Sequence, residues 1–508
     1  MKKYCLGVEF GSTRIKAVAI DANHTVVSSG DHTWASKYEN GVWTYSLEAI
    51  WGGLKDALGK LEHREDIAAM GLSAMMHGYL AFDKDWNLLV PFRTWQNTMT
   101  GPAAAKLSAL FRFNIPQRWS IAHLYQAVLN DEPHIQKLAH ITTLAGYVHF
   151  MLTGENVVGV GEGSGIFPLD YATLDYDAAL LQKFDALIAD RALPWTVREL
   201  LPDIRLAGES AGTLTGSGAA LLDGLLQPGI RFAPPEGDAE TGMVATNAVA
   251  PRTGNVSAGT SIFSMVVLEK PLEKVYPEVG VVATPSGKPV AMVHCSNCTS
   301  DMNRWVALMR EAFGLFGAAP TDGELFTKLY QAALSGAPDC GGVTVCNYLT
   351  GESVPHLDEG RPMVVRGTDA DFTLANFMRA QLCSTMVTLS LGMKLMADEH
   401  IRIDSLTGHG GLFKTPVVGQ RLLAAALETP ITVMDTAENG GPWGMALLAD
   451  YMLNGGGQPL EAYLSERVFR DVQSSTLAPD PADVEGFRRY RARYEALLAV
   501  EKKAIEAL

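Results

Sequence analysis

A short pattern occurs near the start of this chain and again just past its midpoint. Residues 5–10 form an apolar run, Gly11-Ser12-Thr13 breaks it, and residues 15–20 are mostly apolar again. Residues 255–258 lead into Gly259-Thr260-Ser261 in the same way, and the apolar residues 262–268 leave it. Each copy reads as strand, tight turn of glycine and hydroxyl residues, strand. Such an echo points to two related domains facing each other, expected at 1–245 and 246–508. Residues 25–28 add a third β-branched run, so the chain opens as a three-stranded meander. Leu47, Ile50, Trp51, Leu54, Leu58 and Leu61 follow at helical spacing, and residues 67–73 read as a further strand. A hairpin meander, a helix and another strand indicate an α/β fold with mixed sheets.

The length of 508 residues leaves room for two or three domains at roughly 100–200 residues each. With 47% hydrophobic residues the chain can bury large cores, which excludes a disordered or fibrous protein. Its formal charge of −15 opposes a nucleic-acid backbone or an anionic membrane as partner. A small phosphate ligand remains open, because backbone N–H groups hold phosphate without net positive charge. Lys2 and Lys3 precede an apolar stretch that Glu9 interrupts too early for a secretory signal. No run approaches the ~18–20 apolar residues that span a bilayer, so a cytoplasmic protein is expected. Six cysteines are too sparse for a disulfide framework. The Cys295-x-x-Cys298 pair lacks the second pair that a zinc set needs, and the cysteines read as reduced structural thiols.

Residues 100–155 read as mainly helical, and 159–165, with four alternating glycines, as a flexible or ligand-approaching loop. Pro234-Pro235-Glu236-Gly237-Asp238 is a strong breaker. Residues 372–401 form a long amphipathic helical region, and the strand-like 403–406 runs into Gly408-His409-Gly410-Gly411. A helix is expected from 416 to 427, another over 443–453 after Asn439-Gly440-Gly441-Pro442, and a last one over 487–508. Arg488, Arg489, Arg491 and Arg493 on that last helix read as a solvated face.

Three glycine and hydroxyl-rich turns, each next to a strand, are what a divided nucleotide site needs. Glycine lets the backbone approach phosphate oxygens, and Ser or Thr hydroxyls add donors. There is no GxxxxGK[ST] segment and no GxGxxG opening a helix, so this is neither an obvious P-loop nor a Rossmann protein. Glu9 ends the first strand, and Asp238 follows the breaker ahead of the second hairpin. Transfer of a γ-phosphoryl group to an alcohol requires a base for the hydroxyl proton and a divalent metal for the developing charge. Two acidic side chains from facing domains can divide those roles.

Taken in order, these segments resemble the FGGY carbohydrate kinases over nearly the whole chain. Gly7 to Lys16 resembles the family's first phosphate motif, D-x-G-[ST] with nearby hydroxyls and a basic residue. Leu152-Thr153-Gly154-Glu155 resembles its LTGE turn, and Gly163-Ser164-Gly165 through Asp170 its S-G-x-x-x-x-D stretch. Gly237-Asp238 resembles the G-D that holds the catalytic aspartate, and Ala258-Gly259-Thr260-Ser261 the second phosphate motif. Gly408 to Pro416, with Gln420, resembles the adenosine loop and its helix.

The resemblance implies the two-domain actin-like, ribonuclease-H-like ATPase fold, with helices on both faces of its sheets. It implies ATP and Mg²⁺ as cofactors and a small sugar as substrate, with dimers common in the family. Asp238 would be the base and a metal ligand, and Glu9 the second metal ligand. Gly11, Ser12, Thr13, Arg14, Lys16, Gly259, Thr260 and Ser261 would hold the phosphates. Gly410, Gly411, Lys414 and Gln420 would flank the adenosine.

For the sugar, Ser73-Ala74-Met75-Met76-His77-Gly78 resembles the S-x-x-M-H-G segment of xylulokinases, which makes Met76, His77 and Gly78 substrate contacts. Trp95 and Asn97 lie where these kinases often carry W-N-D, with Asn97 replacing the acid. The expected acceptor is a ketopentose, most like xylulose, with L-ribulose or another ketose or polyol behind it. Glycerol-type recognition fits the Met-His-Gly segment less well. Two departures stand out. Glu9 replaces the usual Asp and adds a methylene before the carboxylate, and Gly146-Tyr147-Val148 replaces the common D-Y-L. A non-catalytic ATP-binding regulator on the same fold is the competing expectation, which retention of Asp238 argues against.

Overall fold

The computed structural model describes residues 3–508, so Met1 and Lys2 of the expected basic start lie outside the described residues. The chain divides into two compact units. The first takes residues up to Val249 with Gly280–Val290 and Asn439–Asp471, and the second takes Ala250–Val279, Ala291–Glu438 and Val472–Leu508.

In the first unit, Tyr4–Phe10, Arg14–Ile20 and Val26–Thr33 form the antiparallel meander read from the sequence. Ile67–Ala74 lies parallel to Tyr4–Phe10 on its other side, and Arg231–Phe232 and Glu236–Gly237 pair parallel with Ile67–Ala74. Alternation along a strand sends successive side chains to opposite faces, and a helix covers each face. Phe10 and its cross-strand partner Ile15 face helix Leu47–Gly59, whose Gly53 lies against the Ile15 side chain. That helix starts where the Ser46 hydroxyl accepts the Ala49 N–H at 3.2 Å, and it buries Ile50, Leu54, Ala57 and Leu58. Gly7, Glu9 and the Glu9 partner Lys16 share the other face. Helix Gly440–Asn454 covers it so closely that a methyl at Gly7 would lie 1.9 Å from the Pro442 carbonyl oxygen.

The second unit repeats this topology. Thr253–Ala258 and Ile262–Val267 form the hairpin, and Ser405–His409 joins parallel to Thr253–Ala258. Ile431–Met434 follows in parallel and Ser474–Leu477 in antiparallel pairing. Phe10 is level with Ala74, and Ser257 with His409. The chain beyond Ala74 and the chain beyond His409 therefore leave their sheets beside the two equivalent hairpin turns, at the carboxyl ends of the strands where α/β sheets bind ligands.

Local differences from the sequence reading have physical causes. The glycine-rich stretch 159–165 is a buried helical turn, Val160–Ser164, and not a loose loop. Glycines at 159 and 161 admit the Glu236 side chain against the backbone, and its Oε2 accepts the Glu162 N–H at 2.8 Å. The helix expected from 416 begins at Val418, because Val417 is in the left-handed region at φ 73°. The last helix, Pro481–Ala507, seats Phe487, Tyr490 and Tyr494 in the core. Its arginines are anchors as well as surface: Arg488 pairs with Glu428, Arg491 donates to the Ser390 hydroxyl at 3.0 Å, and Arg493 donates to Thr344 at 3.3 Å. Among the described residues no helix is long and apolar enough to cross a membrane.

Candidate active site

The first hairpin turn is held from behind. Its three carbonyls are all occupied: Trp34 Nε1 donates to Gly11 O at 2.7 Å, the Tyr45 hydroxyl to Ser12 O at 2.7 Å, and the Trp34 N–H to Thr13 O at 3.1 Å. Trp34 and Tyr45 stack at 4.1 Å, so the support is rigid. Thr13 and Arg14 are exposed, and Arg14 makes only a 3.6 Å surface ion pair with Asp31. Trp95 Nε1 donates to the Ser12 hydroxyl at 3.1 Å, joining the expected sugar segment to this turn. The second hairpin is tied in a similar manner, with the Thr299 hydroxyl donating to Gly259 O at 2.8 Å and the Cys298 N–H to Thr260 O at 3.0 Å. Trp34, Tyr45, Cys298 and Thr299 escape a motif reading, because their partners are distant backbone atoms. All six cysteines are free and buried.

Met76, His77, Gly165 and Asp238 converge in the first unit. The Met76 N–H donates to Asp238 Oδ1 at 3.2 Å. His77 Nδ1 lies 3.2 Å from Gly165 O, and its ring stacks on Trp119 at 6.0 Å. His77 is itself left-handed at φ 70°, and Gly78 follows at φ 89°. Such backbone is costly for a histidine and persists where its surroundings over-determine it. Burial, with the Arg118 charge nearby, holds the His77 imidazole well below its ordinary pKa, so it stays neutral. Asn97 is differently employed. Its Nδ2 donates to Trp43 O and Thr94 O, each at 2.9 Å, and its Oδ1 accepts the Trp43 N–H at 2.9 Å. That amide organises the 94–97 turn, whereas the neighbouring Trp95 is partly exposed.

Glu9 is surrounded by protein while its residue retains a little water-accessible surface. Burial and the nearby Asp238 push its pKa up to about 8, against a smaller opposing pull from Lys16. Its longer side chain reaches the turn at the head of helix Gly440–Asn454, where a methyl at Gly441 would lie 1.7 Å from Oε2. Gly441 is therefore part of the carboxylate's seat. Burial raises Asp238 to about 6, restrained by the backbone N–H groups of Met76 and Ala239. Glu162, Glu236 and Glu240 lie underneath, all buried and all pushed well above the carboxylate range by burial and by one another's charge. This carboxylate floor was not singled out in the sequence, although Glu-Gly-Asp-Ala-Glu at 236–240 was its signal.

In the second unit a cavity of about 490 Å³ opens beyond the strand Ser405–His409. Gly408, His409, Gly410, Phe413, Lys414, Val433 and Met434 line it. Gly410 has φ 100°, and a methyl there would lie 2.4 Å from Ala258 O, so only glycine fits. Gly411 borders open space. Gln420 is turned into the protein, its Nε2 donating to Ile431 O at 2.8 Å and Ser475 O at 2.7 Å. It braces the strand behind the cavity and does not line it.

The two units, each built on a hairpin with a parallel strand beside it, have the two-domain fold of the actin-like ATPase class. Residues 4–244 match the N-terminal domain of the FGGY family of carbohydrate kinases, and residues 254–453 match its C-terminal domain. The chain belongs to that family, whose members are ATP-dependent kinases with an alcohol group as acceptor. It is similar to a xylulose kinase of Haemophilus influenzae, 21% identical over 96% of this chain and 98% of the relative. An L-fuculokinase of Escherichia coli is 24% identical over 85% of this chain and 89% of its own. Among solved structures, a xyloylose kinase from Brucella ovis superposes with a TM-score of 0.80 at 21% identity, covering 98% of this chain and 100% of that one. A Plasmodium falciparum glycerol kinase with ADP superposes with a TM-score of 0.78 at 15% identity, covering 97% and 98%.

Proposed function

We propose that this carbohydrate kinase transfers the γ-phosphoryl group of ATP to a hydroxyl of a ketopentose, with xylulose the leading candidate and L-ribulose, another ketose or a polyol behind it. The observation that carries the reading is that the Met76 N–H donates to the candidate base Asp238 while the next residue, the neutral His77, is held on Gly165 O. With Nδ1–H donated to Gly165 O, the neutral imidazole keeps Nε2 as an acceptor for a sugar hydroxyl, and the thioether suits the carbon face of the sugar.

In this reading residues 1–245 carry the sugar site and the first phosphate turn, and residues 246–508 the second phosphate turn and the adenosine cavity. Asp238 accepts the proton of the attacking hydroxyl while the Met76 N–H fixes one of its oxygens. Gly11, Ser12 and Thr13, with Arg14 and Lys16, and Gly259, Thr260 and Ser261 hold phosphate oxygens. The carbonyls of Gly11, Ser12, Thr13, Gly259 and Thr260 accept from donors behind the turns, and the Gly11 and Gly259 N–H groups close the turns on Arg14 O and Ser261 O, which leaves the hydroxyls and the remaining N–H groups for the ligand. The cavity bordered by Gly410 and Lys414 takes adenosine.

Glu9 and Asp238 are an all-oxygen pair whose raised pKa values a cation would relieve, which suits Mg²⁺. Held by these two residues, Mg²⁺ would neutralise charge on the phosphates during transfer. We propose further that the enzyme works as a homodimer in the cytoplasm.

A coupled assay of ADP release over ketopentoses, ketohexoses, polyols and glycerol tests the reading. Highest kcat/KM for a ketopentose is the expected result; ADP release with a ketohexose or a polyol alone would replace the ketopentose by those alternatives, and no sugar-dependent ADP release over the whole panel would refute the reading.

A further inference from the structure

Glu236 and Asp238 stand two residues apart, and each carboxylate takes hold of a different backbone segment near the expected sugar contacts. Asp238 accepts the Met76 N–H at 3.2 Å. Glu236 is 1% exposed; its Oε2 accepts the Glu162 N–H at 2.8 Å, and the Gly161 N–H is a second donor to the same carboxylate. Just ahead of it, the Pro235 carbonyl accepts the Gly159 N–H at 2.7 Å. The carboxylate occupies the room that a side chain at 159 would take. A methyl at Gly159 would lie 2.2 Å from Oε1 and 2.8 Å from Oε2, and the three atoms nearest to it all belong to Glu236. The turn held in this way, Val160–Ser164, has five residues, too few to be stable alone, so its neighbours decide where it ends. It ends at Gly165, whose carbonyl meets His77 Nδ1 at 3.2 Å. A methyl at Gly165 would lie 2.6 Å from that nitrogen, so the imidazole rests directly on the turn's backbone.

We propose that Glu236 is a positioning residue for the sugar: it seats the turn Val160–Ser164 so that the Gly165 carbonyl holds the His77 imidazole at a fixed place relative to Asp238. The segment 236–238 then locates both groups at once. Asp238 fixes the backbone at Met76, and Glu236 fixes the carbonyl against which the next residue's ring lies. His77 depends on such outside support, because its left-handed φ of 70° is costly for a residue with a Cβ. The Ser164 hydroxyl accepts the Ala283 N–H at 2.9 Å and ties down the far end of the turn. Loss of Glu236 therefore shifts the turn without unravelling it. The role needs an acceptor oxygen at Oε2 and no charge, since both donors are neutral backbone N–H groups. This inference rests on the reading of His77 as a sugar contact and of Asp238 as the base.

The test is steady-state kinetics of the full chain with ATP and xylulose, or the panel sugar that outranks xylulose. Glu236→Ala should raise the sugar KM about tenfold or more and leave the ATP KM within about twofold. Gly159→Ala, at φ −64° a position open to alanine, should do the same by pushing a methyl into the carboxylate, and it decides the matter if Glu236→Ala does not fold. Glu236→Gln keeps an acceptor oxygen and should hold the sugar KM within about twofold of native. Combined with His77→Ala, Glu236→Ala should add less than about twofold, because the ring it positions is gone. The inference is overturned by a native sugar KM in both Glu236→Ala and Gly159→Ala, by equal rises for sugar and ATP, by a Gln variant as impaired as the Ala variant, or by an undiminished effect in the absence of His77. Native sugar KM in His77→Ala alone would refute the sugar contact and this inference together, whereas a raised one with Glu236 uncoupled would refute only the inference.

Discussion

Replacing Glu9 by Gln removes one ionisable group and keeps the side chain's shape beside Gly441. In the metal-free protein, burial and the Asp238 charge hold Glu9 at about 8, against 4.5 for the free side chain. The folded state therefore binds the Glu9 proton more tightly than the unfolded chain does, so this group favours folding below pH 4.5. That contribution is lost as pH rises from 4.5 through 8, where the unfolded chain ionises freely and the folded chain does not. Expressed in full, the shift corresponds to a ceiling of about 5 kcal/mol at 1.36 kcal/mol per unit. The residual exposure of Glu9 lets solvent screen part of it, and we expect about 2–3 kcal/mol. Urea unfolding of wild type and Glu9→Gln, with EDTA present, measures the difference at pH 5, 7 and 9. The two should be nearly equal at pH 5, and the variant should be the more stable by about 2–3 kcal/mol at pH 9. Parallel stability curves over this range would show that Glu9 does not titrate as its burial and the Asp238 charge demand. Adding Mg²⁺ should stabilise the wild type more than the variant, since only the wild type offers both carboxylates.

Asp238→Asn should lower kcat by about 10²–10⁴ with ATP affinity and folding retained, read by steady-state kinetics and calorimetry. Turnover at the native rate would remove Asp238 from the role of base. His77→Ala should raise the KM of the sugar several-fold more than that of ATP, and equal effects would argue against sugar contact. Gly410→Ala forces a side chain into a left-handed backbone and within 2.4 Å of Ala258 O. It should weaken ATP binding about tenfold or more while sugar affinity is kept, by roughly 1–3 kcal/mol of strain, as calorimetric titration of each ligand will show.

The meander, helix Leu47–Gly59 and strand Ile67–Ala74 were legible because apolar spacing changes from period 2 to period 3.6 there, with few breaks. The hairpin turns and Gly237-Asp238 were legible because glycine, hydroxyl and acidic residues cluster at strand ends. Three readings needed the third dimension. The stretch 159–165 looked loose because its glycines are spaced like a linker, yet they make room for the Glu236 carboxylate. Gln420 and Asn97 matched family positions, but their amides are engaged by distant carbonyls that no local pattern reveals. The arginines of the last helix looked solvated because nothing in their own helix shows Glu428, Ser390 or Thr344 beside them.

The sequence by itself determined the repeat, the family and the identity of the candidate base, since these depend on residue type, order and local period. Only the tertiary structure decided the state of the carboxylates. Desolvation and charge depend on neighbours remote in the chain, and these separate Asp238 at about 6 from Glu9 at about 8. It also decided that Gly441, more than four hundred residues from Glu9, seats that carboxylate, because a methyl would fall 1.7 Å from its oxygen.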